Sequence, residues 1–101
     1  MTLEDVIQRV QSALDGGANF DKTVKFDFGS IGKLFIDGIN KKASAEDAPA
    51  DATVSVDFED FKKLAQGALD PTMAFMSGKL KIAGDMGVVM KLQSILGKLG
   101  G

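Results

Sequence analysis

The sequence predicts an α+β domain with a largely antiparallel sheet, and three observations carry that prediction. Runs with apolar residues at helical spacing are interspersed with runs of period two. Two period-two runs, 23–28 and 33–37, follow one another across a short glycine-containing turn, which favours a hairpin over a helical crossover. Each clear strand has one apolar and one charged side, the pattern of a sheet roofed by helices on one face and wet on the other.

Thr2 followed three residues later by Asp5 is a capping-box signature, and Leu3, Val6, Ile7, Val10, Ala13 and Leu14 then recur at helical spacing until Gly16 and Gly17. The outer face of this first helix, Glu4, Gln8, Arg9, Gln11 and Ser12, is expected to meet water. From Thr23 onward Val24, Phe26 and Phe28 face one way while Lys25 and Asp27 face the other, a half-buried strand. "GSIG" turns it into a partner where Leu34 and Ile36 alternate with Lys33 and Asp37, and Phe35 breaks the alternation. The run "NKKASAEDAPAD" reads mostly as loop, with a short third strand near its start. "ATVSV" resumes the alternation. Asp57 then opens a helix with Asp60 at the capping-box position and Phe58, Phe61, Leu64, Ala65 and Ala68 as its buried stripe. Asp70 and Pro71 start a short helix that Gly78 is placed to end. "KLKIA" is a last strand, with Leu80 and Ile82 on one face and Lys79 and Lys81 on the other. Gly84 and Asp85 open a final helix reaching Leu96 or Leu99.

A chain of 101 residues with 45% apolar content suits one domain over 1–101, large enough for a core without disulfides or metal. Basic and acidic residues are interspersed and leave a net charge of -2, which speaks against a nucleic-acid partner, since phosphate binding needs a basic stripe. "MTLEDVIQRV" lacks the positive start of a secretory signal, no run is long enough to span a bilayer, and cysteine is absent. These features place the expected site of action in the cytoplasm.

Histidine, cysteine and tyrosine are all missing, which removes the usual bases near neutral pH, thiol and triad nucleophiles and the common zinc ligands. Most acids fall at helix caps, on outer faces or in the polar loop, so the expectation is a protein that is not an enzyme, with no cofactor and no metal. "DFG" at 27–29 lacks the rest of a kinase. "GSIGK" has neither the spacing nor the Ser/Thr of a phosphate loop, and "EDAPAD" lacks the glycine and final glutamate of a calcium loop. All three read as turn chemistry.

The unusual segment is the last third. Met73, Met76, Met86 and Met90 surround Phe75, and Met86, Val88, Val89, Met90, Leu92, Ile95, Leu96 and Leu99 occupy much of the final helix's circumference. A helix packed on one side needs an apolar stripe of roughly 100° or slightly more. The excess has two readings: burial in the core or a dimer contact, or the wall of a ligand cavity, for which adaptable methionine is suited. Gln93 reads either as a polar residue that orients a head group or as a solvated amide.

The stretch "ADATVSVDFEDFKKLAQGALDPTMAFMSGKLKIAGDMGVVMKLQSIL" closely resembles the sterol carrier protein 2 family. The matching motifs are a DF-x-x-L helix start at Asp60, Phe61 and Leu64, then Gly67, Pro71, Ala74 and Phe75. They continue through Gly78 to Ile82 with Gly84, and end in Met86, Lys91, Leu92 and Gln93. The resemblance implies a mainly antiparallel five-stranded sheet, one face covered by about five helices, with a hydrophobic tunnel between them. It also implies a domain that binds and transfers fatty acids, fatty acyl-CoA, phospholipids or sterols and is not an enzyme alone. Carried over residue by residue, the tunnel wall is Phe75, Met76, Leu80, Ile82, Met86, Met90 and Gln93. Leu34 and Phe35 stand where many relatives have tryptophan, and the chain ends without a peroxisomal tripeptide, which again points to the cytoplasm.

The expected function is therefore non-catalytic lipid binding, transfer or storage, by a monomer whose partner is a lipid and which leaves room for transient membrane contact. The competing expectations are an interaction or dimerisation module built on the final helix, and an accessory domain that presents lipids to an enzyme.

Overall fold

The computed structural model describes residues 2–17, 21–85 and 87–88. Helix α1 spans Leu3–Asp15 and begins with the capping box that the spacing of Thr2 and Asp5 predicts. The Asp5 backbone N–H donates to Thr2 Oγ1 at 3.2 Å, and the Thr2 N–H donates to Asp5 Oδ2 at 2.9 Å. Two orphan amides are thus satisfied at the helix start. Val6, Val10 and Leu14 are buried, with Leu3, Ile7 and Ala13 packed partly buried beside them.

Strands β1 (Thr23–Asp27), β2 (Lys33–Asp37), β3 (Lys42–Ser44), β4 (Ala52–Val56) and β5 (Leu80–Gly84) form one five-stranded sheet in the order β3-β2-β1-β4-β5. A 3-10 turn over Gly29–Ile31 joins β1 to β2 in the expected hairpin, with Phe26 opposite Leu34. The sheet is mixed, which corrects the mainly antiparallel expectation: at its centre β1 runs parallel to β4, with Phe26 opposite Val54. The cause is the route of the chain. After β3 at one edge, residues 45–51 must pass β2 and β1 to reach β4, and Lys25, on the outer face, holds Asp47 at 2.8 Å as they cross. A chain that crosses a sheet instead of turning back enters its next strand in the parallel sense.

Among the described residues there are three α-helices, not about five. α2 spans Phe58–Ala65 and α3 spans Pro71–Met76. The final helix expected beyond Asp85 falls almost wholly outside the described residues. Asp57 is the N-cap of α2 by backbone geometry, but its side chain makes no capping hydrogen bond, so the capping box expected with Asp60 does not form. Phe58, Phe61, Leu64 and Ala65 are buried as expected, whereas Ala68 is exposed. The chain turns away before it, with the Ala68 N–H donating to the Lys63 carbonyl at 2.8 Å.

The inner face of the sheet and all three helices share one core. At its centre Phe26 and Phe28 of the β1 arm meet Phe58 and Phe61 of α2, with edge-to-face pairs at centroid distances of 5.1 Å (Phe26–Phe61) and 5.2 Å (Phe28–Phe58). Offset and edge-on ring pairs of this kind add to simple burial. Phe35 is half-buried on the outer face, opposite Lys25 and Ser44.

Gln11 does not simply face water. Its side-chain amide donates to the Lys41 carbonyl at 2.9 Å and accepts from the Ala43 N–H at 2.9 Å, occupying the free edge of β3 as a neighbouring strand would. An open strand edge otherwise presents unpaired backbone groups.

Candidate functional site

The segment that sequence reasoning singles out is the α3–β5 unit. Asp70 Oδ1 accepts from the Thr72 N–H at 2.7 Å and the Met73 N–H at 3.4 Å, and Pro71 follows at a position where a missing amide costs nothing. Gly78, at φ 81, takes the left-handed conformation that ends the helix. The turn is closed by the Gly78 N–H on the Phe75 carbonyl at 3.2 Å and the Lys79 N–H on the Ala74 carbonyl at 2.9 Å. β5 then pairs antiparallel with β4, Leu80 opposite Val56 and Ile82 opposite Val54. It ends at Gly84, where φ is 100 and any side chain would strike the Asp51 carbonyl.

This geometry distributes the expected site residues over two faces. Leu80 is buried and Ile82 half-buried on the inner side of β5, in line with Val54 and Val56. Phe75 and Met76 lie on the open side of α3, 46% and 77% exposed, and Ala74 alone of that turn is fully buried. Met86, Met90 and Gln93 lie outside the described residues. Val88 is buried in the core, reached through the Asp85 N–H on the Asp51 carbonyl at 3.0 Å and the Val88 N–H on the Asp85 carbonyl at 3.2 Å. Sequence reasoning did not place Met73 in the site, yet at 63% exposed it extends the same apolar face. The signal was available: with Ala74 inward in a six-residue helix, positions 73 and 76 fall away from the core.

The polar side of the molecule has a different character. One groove of about 530 Å³ runs beside β2 and β3, lined by Gln11, Phe35, Asp37 and Lys42 among others. A second, about 440 Å³, lies at the ends of β1, β4 and β5 with Asp27, Asp57, Asp60, Lys79 and Lys81 on its walls. The carboxylates whose pKa moves are all moved down. Asp27 is lowered by the Gly29 N–H and then Lys33, Asp37 by the backbone and side chain of Asn40, Asp47 by Lys25, and Asp51 by the backbone N–H and hydroxyl of Thr23. Hydrogen bonds to the charged form hold these groups ionised, the opposite of what a general acid near neutral pH requires. Among the described residues no group of three or more acids is gathered to hold a metal. Nor is any described helix long and apolar enough to cross a membrane.

The SCP-2 sterol transfer family matches residues 3–97, nearly the whole chain. The chain belongs to that family. Its SCP-2 fold is shared with the sterol carrier protein-2 of Aedes aegypti solved in complex with palmitate, at a TM-score of 0.79 and 21% identity over 97% of this chain and 98% of that one. The sterol carrier protein domain 2 of Helicoverpa armigera gives a TM-score of 0.72 and 25% identity, covering 95% of this chain and 86% of that one. By sequence, this SCP-2 chain is 41% identical over 96 residues to the hydroxysteroid dehydrogenase-like protein 2 of Xenopus laevis. The match takes in 95% of this chain but 20% of that protein. The Danio rerio protein of the same name is 57% identical over 47 residues, 46% of this chain and 11% of that one. This SCP-2 domain thus spans about a fifth or less of the length of these relatives.

Proposed function

We propose that this SCP-2 family chain is a non-catalytic carrier, one domain acting as a monomer, that holds a fatty acid, fatty acyl-CoA or comparable lipid in an apolar tunnel between sheet and helices. The family match over residues 3–97 carries this reading. It is supported by the concentration of large apolar side chains in the α3–β5 unit that the core does not use. The proposed wall is Leu80 and Ile82 below, Phe75 and Met76 at its α3 end, and Met86, Met90 and Gln93 from the segment that follows. Burial yields about 25 cal/mol per Å² of ligand, so a long acyl chain binds without any specific polar contact. Selectivity among chains is then loose, because a methylene is worth only about 1 to 3 kcal/mol.

Native mass spectrometry of the purified chain, with displacement of a fluorescent fatty acid, tests the reading. One lipid per chain is expected, and Met90→Lys should abolish binding while lowering stability much less. An empty dimer that ignores fatty acids would replace the carrier by an interaction module.

A second reading rests on the Xenopus laevis relative, in which the matching region is 20% of a protein named as dehydrogenase-like. In it the domain presents a lipid to an enzyme elsewhere in a longer chain. A carrier acting alone moves fatty acid between vesicles rapidly as the isolated chain. A presenting domain binds equally well but transfers slowly.

A further inference from the structure

We propose that the open face of α3, formed by Met73, Phe75 and Met76 with Lys79 and Lys81 beside it, is the surface on which the chain seats on an anionic lipid bilayer. The inference rests on the carrier reading for its purpose, since a lipid carrier must meet the membranes it exchanges with, but its evidence is separate. Five large apolar residues are well exposed among the described residues, and three of them, Met73, Phe75 and Met76, occur within one six-residue helix. A contiguous apolar patch of this kind marks an interaction site, whereas scattered single residues do not.

Charge identifies the partner. The stretch from Pro71 to Gly84 contains no acidic side chain and two lysines, in a chain whose net charge is -2. Lys79 and Lys81 are exposed and enter no ion pair among the described residues, unlike Lys25, Lys33 and Lys62, which hold Asp47, Asp27 and Glu59. The nearest carboxylate along the chain, Asp70, is turned into the start of α3 by its bonds to the Thr72 and Met73 amides. Asp57 and Asp60 share the groove with the lysines but belong to the start of α2. An apolar triad with adjoining cations, and no acid in its own segment, matches the boundary between acyl chains and anionic head groups. Lysine stems can lie along that boundary while their ammonium groups reach the phosphates.

The test is co-sedimentation of the full chain with phosphatidylcholine vesicles, with and without phosphatidylserine. The wild type should bind the phosphatidylserine vesicles. Met73→Glu should weaken that binding at least about tenfold, the value of burying one such side chain. The double variant Lys79→Gln, Lys81→Gln should weaken it about fivefold per lysine, and only on the anionic vesicles. Circular dichroism and binding of a fluorescent fatty acid in solution should be unchanged in both variants. A wild type that ignores vesicles, or variants that bind them equally well, overturns the proposal. So does a dimer in sedimentation that Met73→Glu dissociates without any vesicle binding, because a second copy then covers the face. A chain that seats on vesicles yet binds no fatty acid would sink the carrier reading and leave the docking surface standing.

Discussion

Helices α2 and α3 are neighbours in the chain and both are rich in large apolar residues, yet they use them in opposite ways. α2 buries Phe58, Phe61 and Leu64, while α3 buries Ala74 and turns Met73, Phe75 and Met76 outward. Length accounts for much of the difference. The eight residues of α2 make two turns, so positions 58, 61, 64 and 65 gather on one face, and its rings lock against Phe26 and Phe28. The six residues of α3, started by Asp70 and stopped by Gly78, leave room for little more than one inward position, and the smallest apolar residue takes it. Hydrophobicity therefore says that a residue seeks cover. Where it finds cover depends on how many turns surround it. α2 supplies stability, and α3 keeps apolar surface in reserve.

The contrast is broken most decisively at Phe61, which is fully buried and touches three other rings. Phe61→Ala should cost about 3 to 5 kcal/mol, read as a lower urea midpoint. That is a large part of the stability of a domain this size. A loss below 1 kcal/mol would mean that the ring cluster is not the centre of the core.

Acid should act next, and away from both helices' apolar faces. Asp5, Asp27, Asp37, Asp47, Asp51 and Glu59 have folded pKa values lowered, by hydrogen bonds from Thr2, Gly29, Asn40, Lys25, Thr23 and Lys62 respectively. A lowered carboxylate adds stability that is fully present above its unfolded value, near about 4, and lost as pH falls through the folded value. The urea midpoint should therefore be flat from neutral pH down to about 5 and then fall below about 4. A midpoint that rises on acidification would contradict those hydrogen bonds.

Much of this fold was legible because its signals are local. The capping box at Thr2, the alternation of Val24, Phe26 and Phe28, and the stop at Gly78 each depend on residues within a few positions. The parallel pairing of β1 with β4 was not legible, since it depends on where residues 45–51 cross the sheet, and nothing within that loop encodes its path. Gln11 was misread for the same reason: its partners, Lys41 and Ala43, are distant in sequence. Of the candidate site, Leu80 and Ile82 were readable from strand alternation. The outward turn of Phe75 and Met76 was not, because the motif that marks them gives identity without direction.

Gln11 offers a smaller test, on the side of the molecule remote from α3. Gln11→Ala removes two bonds to the β3 backbone and should cost about 1 to 2 kcal/mol, since each is worth roughly 0.5 to 1.5. Hydrogen exchange should localise the change, with the Ala43 amide losing protection far more than the amides of β4. Uniform loss across the sheet would show instead that α1 had detached.

The smallest effect on stability is expected where the hydrophobicity is largest. Met76 is 77% exposed, so Met76→Ser removes little buried area and should move the unfolding free energy by no more than about 0.5 kcal/mol. If α3 holds apolar surface in reserve for lipid, the same change must be felt in fatty-acid binding, as a loss of severalfold with the fold intact. The two measurements together decide the meaning of the contrast with α2. Equal and large losses would make Met76 an ordinary core residue, covered in solution by another part of the chain. Loss of neither would leave the exposed methionine without the role assigned to it. A binding loss without a stability loss is the outcome that separates surface kept for a ligand from surface already used to fold.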